Sequence, residues 1–167
     1  NIIIKSNPRK ANTYVRRATA QYYLLNYNSA LNDISKALYL DDKNSYAYFQ
    51  RAMVYNKMEN KDDALKDFNK VLELSPNSTS AYYNRALIYS DMEDYSKALA
   101  DYEKVILLNS KNILAYYNRA RIYNRLKKLK LARIDIEKVI EIYPDFVDAY
   151  KLRSSLKQQN GDYIGAN

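Results

Sequence analysis

From Ser80 to Met92 the apolar side chains recur every three or four residues instead of alternating, which is the spacing of one face of an α-helix. Placed at about 100° per residue with Tyr82 as zero, Ile88, Met92, Arg85, Tyr89, Tyr82 and Ala86 fill an arc from about 240° round to about 40°. Ser80, Tyr83, Asn84, Leu87, Ser90 and Asp91 fill the opposite arc. The first arc is the expected core face. A second stretch of the same kind follows, with Ala98, Leu99, Tyr102, Val105 and Ile106 on one side and Ala100, Glu103 and Leu107 on the other. The chain has 2 glycines and 3 prolines, too few turn-formers for a sheet of tight hairpins, so the elements predicted are helices.

The pattern repeats. Ala81 to Tyr89 reads AYYNRALIY and Ala115 to Tyr123 reads AYYNRARIY, 34 residues later, with Arg121 in place of Leu87. At that offset Tyr14, Tyr48, Tyr82, Tyr116 and Tyr150 form one column, and Ala18, Ala52, Ala86 and Ala120 another. Tyr55, Tyr89 and Tyr123 form a third column, Ala30, Ala64, Ala98, Ala132 and Ala166 a fourth, Ile34, Phe68, Tyr102 and Ile136 a fifth, and Pro76 and Pro144 a sixth. An aromatic, then small and aromatic residues at helical spacing, then Ala, a large apolar residue and a closing Pro resembles the tetratricopeptide repeat. That resemblance implies an all-α fold, a right-handed superhelical solenoid of antiparallel helix pairs, each pair burying its apolar face only against the next. The chain departs from the family pattern where the usual tryptophan is Tyr, the usual glycine is Ala or Ser, and the usual leucine of the first helix is Arg. Residues 1–167 are read as a single array, with full repeats at 11–44, 45–78, 79–112 and 113–146. Residues 1–10 are expected to be the tail of a preceding repeat and 147–167 a partial or capping one.

The arginine column is complete: Arg17, Arg51, Arg85, Arg119 and Arg153. Sixteen residues after the first four stand Asp33, Asp67, Asp101 and Asp135. Two antiparallel helices joined by a short turn bring such positions together, and a guanidinium in a core requires an acidic or carbonyl partner. These eight residues are expected to form structural ion pairs inside the repeats, out of a ligand's reach.

Composition narrows the chemistry. The sequence has no cysteine and no histidine, which removes the commonest transition-metal ligands, the commonest general base and the usual nucleophile pairs. The paired acids Asp62 and Asp63 fall at a predicted helix start, where carboxylates cap free N–H groups. No enzyme, metal or cofactor is expected. No apolar run is long enough to span a bilayer. Asn1 at the first position in place of a methionine reads as an excised or processed chain.

With the core columns assigned, binding is expected on the other arc of the first helices, which the resemblance makes the concave groove that holds peptide segments in this family. The residues proposed for it are Tyr46, Phe49, Gln50 and Met53 in the second repeat, Tyr83, Asn84 and Leu87 in the third, and Tyr117, Asn118, Arg121 and Arg125 in the fourth. Asn12, Val15, Arg16, Thr19, Tyr22 and Tyr23 are their counterparts in the first. Phe49, Tyr83 and Tyr117 share a column of rigid aromatics read as exposed, and the neighbouring Gln50, Asn84 and Asn118 offer amides to a peptide backbone. The columns that carry the first Lys and Asn of the family's carboxylate clamp hold Val15 or Phe49 and Thr19 or Met53, so a clamped C-terminal acid is not expected.

The net charge of +8 raises the question of an anionic partner. Arg121, Arg125, Lys127, Lys128, Lys130 and Arg133 form a run without an acid, toward which an acidic peptide stretch could be steered. An RNA-binding helical repeat and a purely architectural spacer are the alternatives to a peptide-binding scaffold. Against RNA, the cluster occupies one repeat and does not run along the array as a phosphate track would.

Overall fold

The structure is a computed structural model that describes residues 8–159 and Gly161. Among these, nine α-helices follow one another with no strand: α1 Pro8–Tyr23, α2 Tyr27–Leu40, α3 Ser45–Lys57, α4 Lys61–Leu74, α5 Thr79–Asp91, α6 Tyr95–Leu108, α7 Ile113–Arg125, α8 Leu129–Ile142 and α9 Val147–Gln159. Pro8 to Lys10 belong to α1 and not to an element before it, with Pro8 at a first helical position that needs no N–H donor. The rest of the expected preceding tail, and the expected continuation at Ala166 and Asn167, lie outside the described residues. The chain divides into two compact units between Asn84 and Arg85, inside α5.

Five of the helix starts are closed by a side-chain cap, while α2 and α8 begin at Asn26 and Lys128 with no side-chain cap bond. Side chains of Asn44, Ser78 and Asn112 accept from the N–H groups of Ala47, Ala81 and Ala115 at 3.0, 3.3 and 2.9 Å, closing the first turns of α3, α5 and α7. Asn60 and Asp94 do the same for α4 and α6, accepting from Asp63 and Lys97. The cap of α4 is therefore Asn60, not the expected Asp62 and Asp63, which occupy its first turn.

The first helices end alike. Leu25, Glu59, Glu93 and Lys127 take positive φ of 62°, 60°, 59° and 57°. Around Glu59, its own N–H donates to the Asn56 carbonyl at 3.1 Å and the next N–H, that of Asn60, reaches back to Tyr55 at 2.9 Å. This double bond pattern closes a helix through one left-handed residue, a position where glycine is usual because a Cβ is strained there. Replacing the exposed Glu59 by Gly should raise the unfolding free energy by about 0.5–1 kcal/mol, whereas Glu59→Ala should give no gain. Denaturant unfolding of both variants measures this, and an equal gain from alanine would refute the strain.

In the first unit α1 packs against α2, α3 against α4, and α2 against α3. Their core is built from Ala11, Val15, Ala18, Ala30, Ile34, Ala37, Ala47 and Val54, all essentially without exposure. In the second unit α7 packs against α8 and α8 against α9, around Ala120, Ala132, Ile136, Val139, Ala149 and Leu156. The alanine columns are what let the helix axes approach, since side-chain size at a crossing sets the separation. Met92, placed on the core arc by its angle, is 46% exposed, because it stands one residue beyond the end of α5, where the helical wheel no longer applies.

Candidate partner-binding faces

The arginine and aspartate columns meet as four two-pronged ion pairs. In each, Nε and Nη2 donate to the two carboxylate oxygens, from Arg17 to Asp33, Arg51 to Asp67, Arg85 to Asp101 and Arg119 to Asp135, at 2.6 to 2.8 Å. Parallel paired bonds of this kind are the strong form of the interaction. The acids are the buried partners: the aspartate side chains are 3–7% exposed, while the arginines run from 60% for Arg17 through 25% and 18% to 16% for Arg119. The expectation of an arginine deep in the core is corrected accordingly. The guanidinium lies at the rim of the core, over tyrosine faces.

The Arg51 guanidinium carbon stands 5.3 Å from the Tyr48 ring centre and 6.0 Å from that of Tyr55. Arg119 stands 5.6 Å from Tyr116 and 5.8 Å from Tyr123. Residues three before and four after share a helix face, so the two tyrosine columns flank the arginine column and add cation–π attraction. The hydrogen bonds from Arg17 hold the Asp33 carboxyl below its ordinary range, with burial opposing. A carboxyl lowered in the folded state stabilises the fold above its unfolded pKa and loses that contribution as pH falls through its folded one.

The outer arc of the first helices is uneven. Val15, a counterpart of Phe49, Tyr83 and Tyr117, has no exposure and belongs to the core, since its small side chain ends where the larger ones emerge. Phe49 and Tyr117 are half-buried and not freely exposed as the column suggested. Phe49 lies edge-on to Phe68 with ring centres 5.6 Å apart, and Tyr117 edge-on to Phe146 at 5.1 Å.

In the first unit a cavity of about 250 Å³ is lined by Tyr46 and Phe49 of α3, Val71 of α4, and Ser45, Ser75, Ser78 and Ser80. Its floor is apolar and its rim carries hydroxyls. Tyr46 is 49% exposed. Gln50, Met53, Tyr83 and Asn84 are half-buried and do not line it. The Asn84 amide donates to the Ser80 carbonyl of its own helix at 2.8 Å.

In the second unit a cavity of about 240 Å³ is bounded by Leu87, Ser90 and Asp91 of α5, Glu93 in the turn, Tyr95 and Tyr102 of α6, and Asn118, Arg121, Ile122 and Arg125 of α7. It gathers six of the residues expected on the outer arcs, Leu87, Ser90, Asp91, Asn118, Arg121 and Arg125, and adds three acidic or phenolic ones, Glu93, Tyr95 and Tyr102, that the helical wheel of a first helix could not supply. No residue type in the column Leu25, Glu59, Glu93 and Lys127 marks a left-handed turn, so the sequence held no signal for Glu93. Arg121 lies over the Tyr117 ring at 5.9 Å and makes a long 3.5 Å contact from Nη1 to the side-chain Oδ1 of Asn118.

The basic run does not form one patch. Arg121 and Arg125 border this cavity. Lys130 and Arg133 border a different one, of about 660 Å³, with Tyr116, Arg119, Ile134, Asp135, Glu137, Lys138 and Glu141. Lys127 donates to the Gln159 amide oxygen at 3.3 Å. Among the described residues no group of acidic side chains could hold a metal ion, and no helix is long and apolar enough to cross a membrane.

Paired helices closing on left-handed turns every 34 residues, with small residues at the crossings, define an all-α helical-repeat protein. Models of the tetratricopeptide repeat match residues 45–78, 79–112 and 113–146, and the chain belongs to that family. Solved structures share the fold: MamA at 22% identity, TM-score 0.86, over 94% of this chain and 86% of that one. YrrB, described as a TPR protein with an unusual peptide-binding site, is 22% identical with TM-score 0.81, over 96% of this chain and 82% of that one. PilF of Pseudomonas aeruginosa is 16% identical with TM-score 0.83, over 95% and 72%. No curated protein matches the sequence as a relative.

Proposed function

We propose that the first-helix faces hold an extended segment of a protein partner, and that residues 11–44, 45–78, 79–112, 113–146 and the start of a fifth repeat act as one array presenting them. Membership in the tetratricopeptide repeat family makes the chain a protein-interaction scaffold. The observation that carries the finer reading is that both units open a cavity on this face, one apolar with a hydroxyl rim and one polar. Each suits a side chain of a bound segment: at about 250 Å³ and 240 Å³ both fall below the roughly 300–1,000 Å³ of sites that enclose a whole small molecule. YrrB, alike in fold, offers a precedent for peptide binding on such a scaffold. The division of the basic run between two cavities counts against a continuous phosphate track.

The test uses peptides selected by display against the intact chain. Ser80→Trp, which fills the first cavity from an exposed position, and Arg121→Glu at the second should each weaken part of the selected set by about tenfold or more. Lys66→Gln, on the exposed side of α4, should leave all affinities unchanged. Selected peptides indifferent to both face variants would place binding elsewhere.

A further inference from the structure

The cavity of the second unit carries both signs of charge. Arg121 and Arg125 project from α7, while Asp91 ends α5 and Glu93 occupies the turn after it. Opposite charges on facing walls close on each other when they can reach, as the arginine and aspartate columns do a few residues away. Here they do not: among the described residues Arg121, Arg125, Asp91 and Glu93 enter no ion pair. The backbone that carries these side chains is held in place. Glu93 sits in a left-handed turn whose N–H donates to the Ser90 carbonyl at 3.1 Å, and the following N–H, of Asp94, donates to Tyr89 at 2.9 Å. Ile122, between the two arginine turns, is 2% exposed and anchors α7.

We propose that this cavity selects a partner segment carrying an acidic and a basic side chain close together, the acid received by Arg121 and Arg125 and the base by Asp91 and Glu93. Two cations and two anions on opposite walls give a site with little net charge but a strong direction. An occupant with both signs is therefore favoured over an acidic one. Complementarity of this kind supplies specificity and register more than affinity. The inference rests on the reading that the first-helix faces bind peptide segments, and it replaces the expectation of a simply acidic partner.

The experiment uses fluorescence anisotropy with labelled peptides of equal length: one alternating Glu and Lys, one with Glu only, one with Lys only, and one of Ser and Gly. At about 0.15 M ionic strength, where charges farther apart than about 8 Å are screened, the alternating peptide should bind about fivefold tighter than either single-sign peptide. The double variants Arg121→Gln/Arg125→Gln and Asp91→Asn/Glu93→Gln alter only exposed side chains, and each should abolish that preference. The second should also turn the site toward the Glu-only peptide. Equal binding of the Glu-only and alternating peptides by the unaltered chain overturns the inference, as does a preference that survives Asp91→Asn/Glu93→Gln. If none of the four peptides binds, the inference falls as well, and the display-selected peptides decide separately whether the faces bind segments at all.

Discussion

Arg119→Ala should lower the unfolding free energy by about 3 kcal/mol, near the lower end of what removing one partner of a buried ion pair costs. The loss comes from the aspartate left behind. Asp135 keeps a side chain only 3% exposed, and a carboxylate in that position without its guanidinium must either hold its charge with little solvation or take up a proton. The cation–π contacts to Tyr116 and Tyr123 vanish with it. Because arginine exposure rises from 16% at Arg119 to 18% at Arg85, 25% at Arg51 and 60% at Arg17, the alanine series should fall in that order. Arg17→Ala should cost least, since water already reaches that pair and screens it. Replacing both members, Arg119→Leu with Asp135→Leu, should recover most of the loss, because no charge is then stranded. Denaturant unfolding of the four single variants and the double one decides the matter. Equal losses at all four sites would show that water reaching the arginine does not weaken the pair, since the four acids are almost equally buried, and a double variant as weak as the sum of its parts would show that no stranded charge sets the energy.

The helices and their period could be read from the chain because both are periodic properties, repeated at an interval that never slips. The sixteen-residue offset of Arg and Asp was equally legible. What the offset did not carry was which partner is buried, since that depends on where the two helices cross. A helical wheel gives direction around an axis and says nothing of depth. This is why Val15 and Phe49, in one column, differ so much: valine ends inside the core, while the larger ring reaches past it to meet solvent and Phe68. It is also why Met92, at a core angle but past the end of α5, is exposed.

The acidic wall of the second cavity was hidden for a related reason. Glu93 belongs to neither helix of its repeat, and it stands in the left-handed turn after α5, where it borders the same cavity as Arg121 and Arg125. The six basic residues from Arg121 to Arg133 looked like one cluster because they adjoin in sequence. A turn between two antiparallel helices sends neighbours in sequence to different faces, so the cluster dissolves into separate surroundings.

Phe68→Ala should be the most damaging single change in the first unit, costing about 3–5 kcal/mol. Phe68 is fully buried in α4 and stands at the position of Ile34 and Ile136 in their repeats, so its removal leaves a cavity in the core. Phe68→Ile, the residue of those equivalent positions, should cost clearly less, which separates lost volume from lost aromatic contact. The edge-on contact with Phe49 at 5.6 Å adds about 0.5–1.5 kcal/mol beyond area burial, and this part should be lost in both variants. In a repeat protein each unit is stabilised mainly by its neighbours, so the damage should be local. Amide exchange should accelerate in α3 and α4 well before α8 responds. The consequence reaches the binding face, because Phe49 forms a wall of the first cavity together with Val71 and is held in place by Phe68. Peptides weakened by Ser80→Trp should therefore be weakened by Phe68→Ile as well, at temperatures where the variant is fully folded, while those sensitive to Arg121→Glu should be unaffected. Loss of both classes together would mean that the two faces do not act separately.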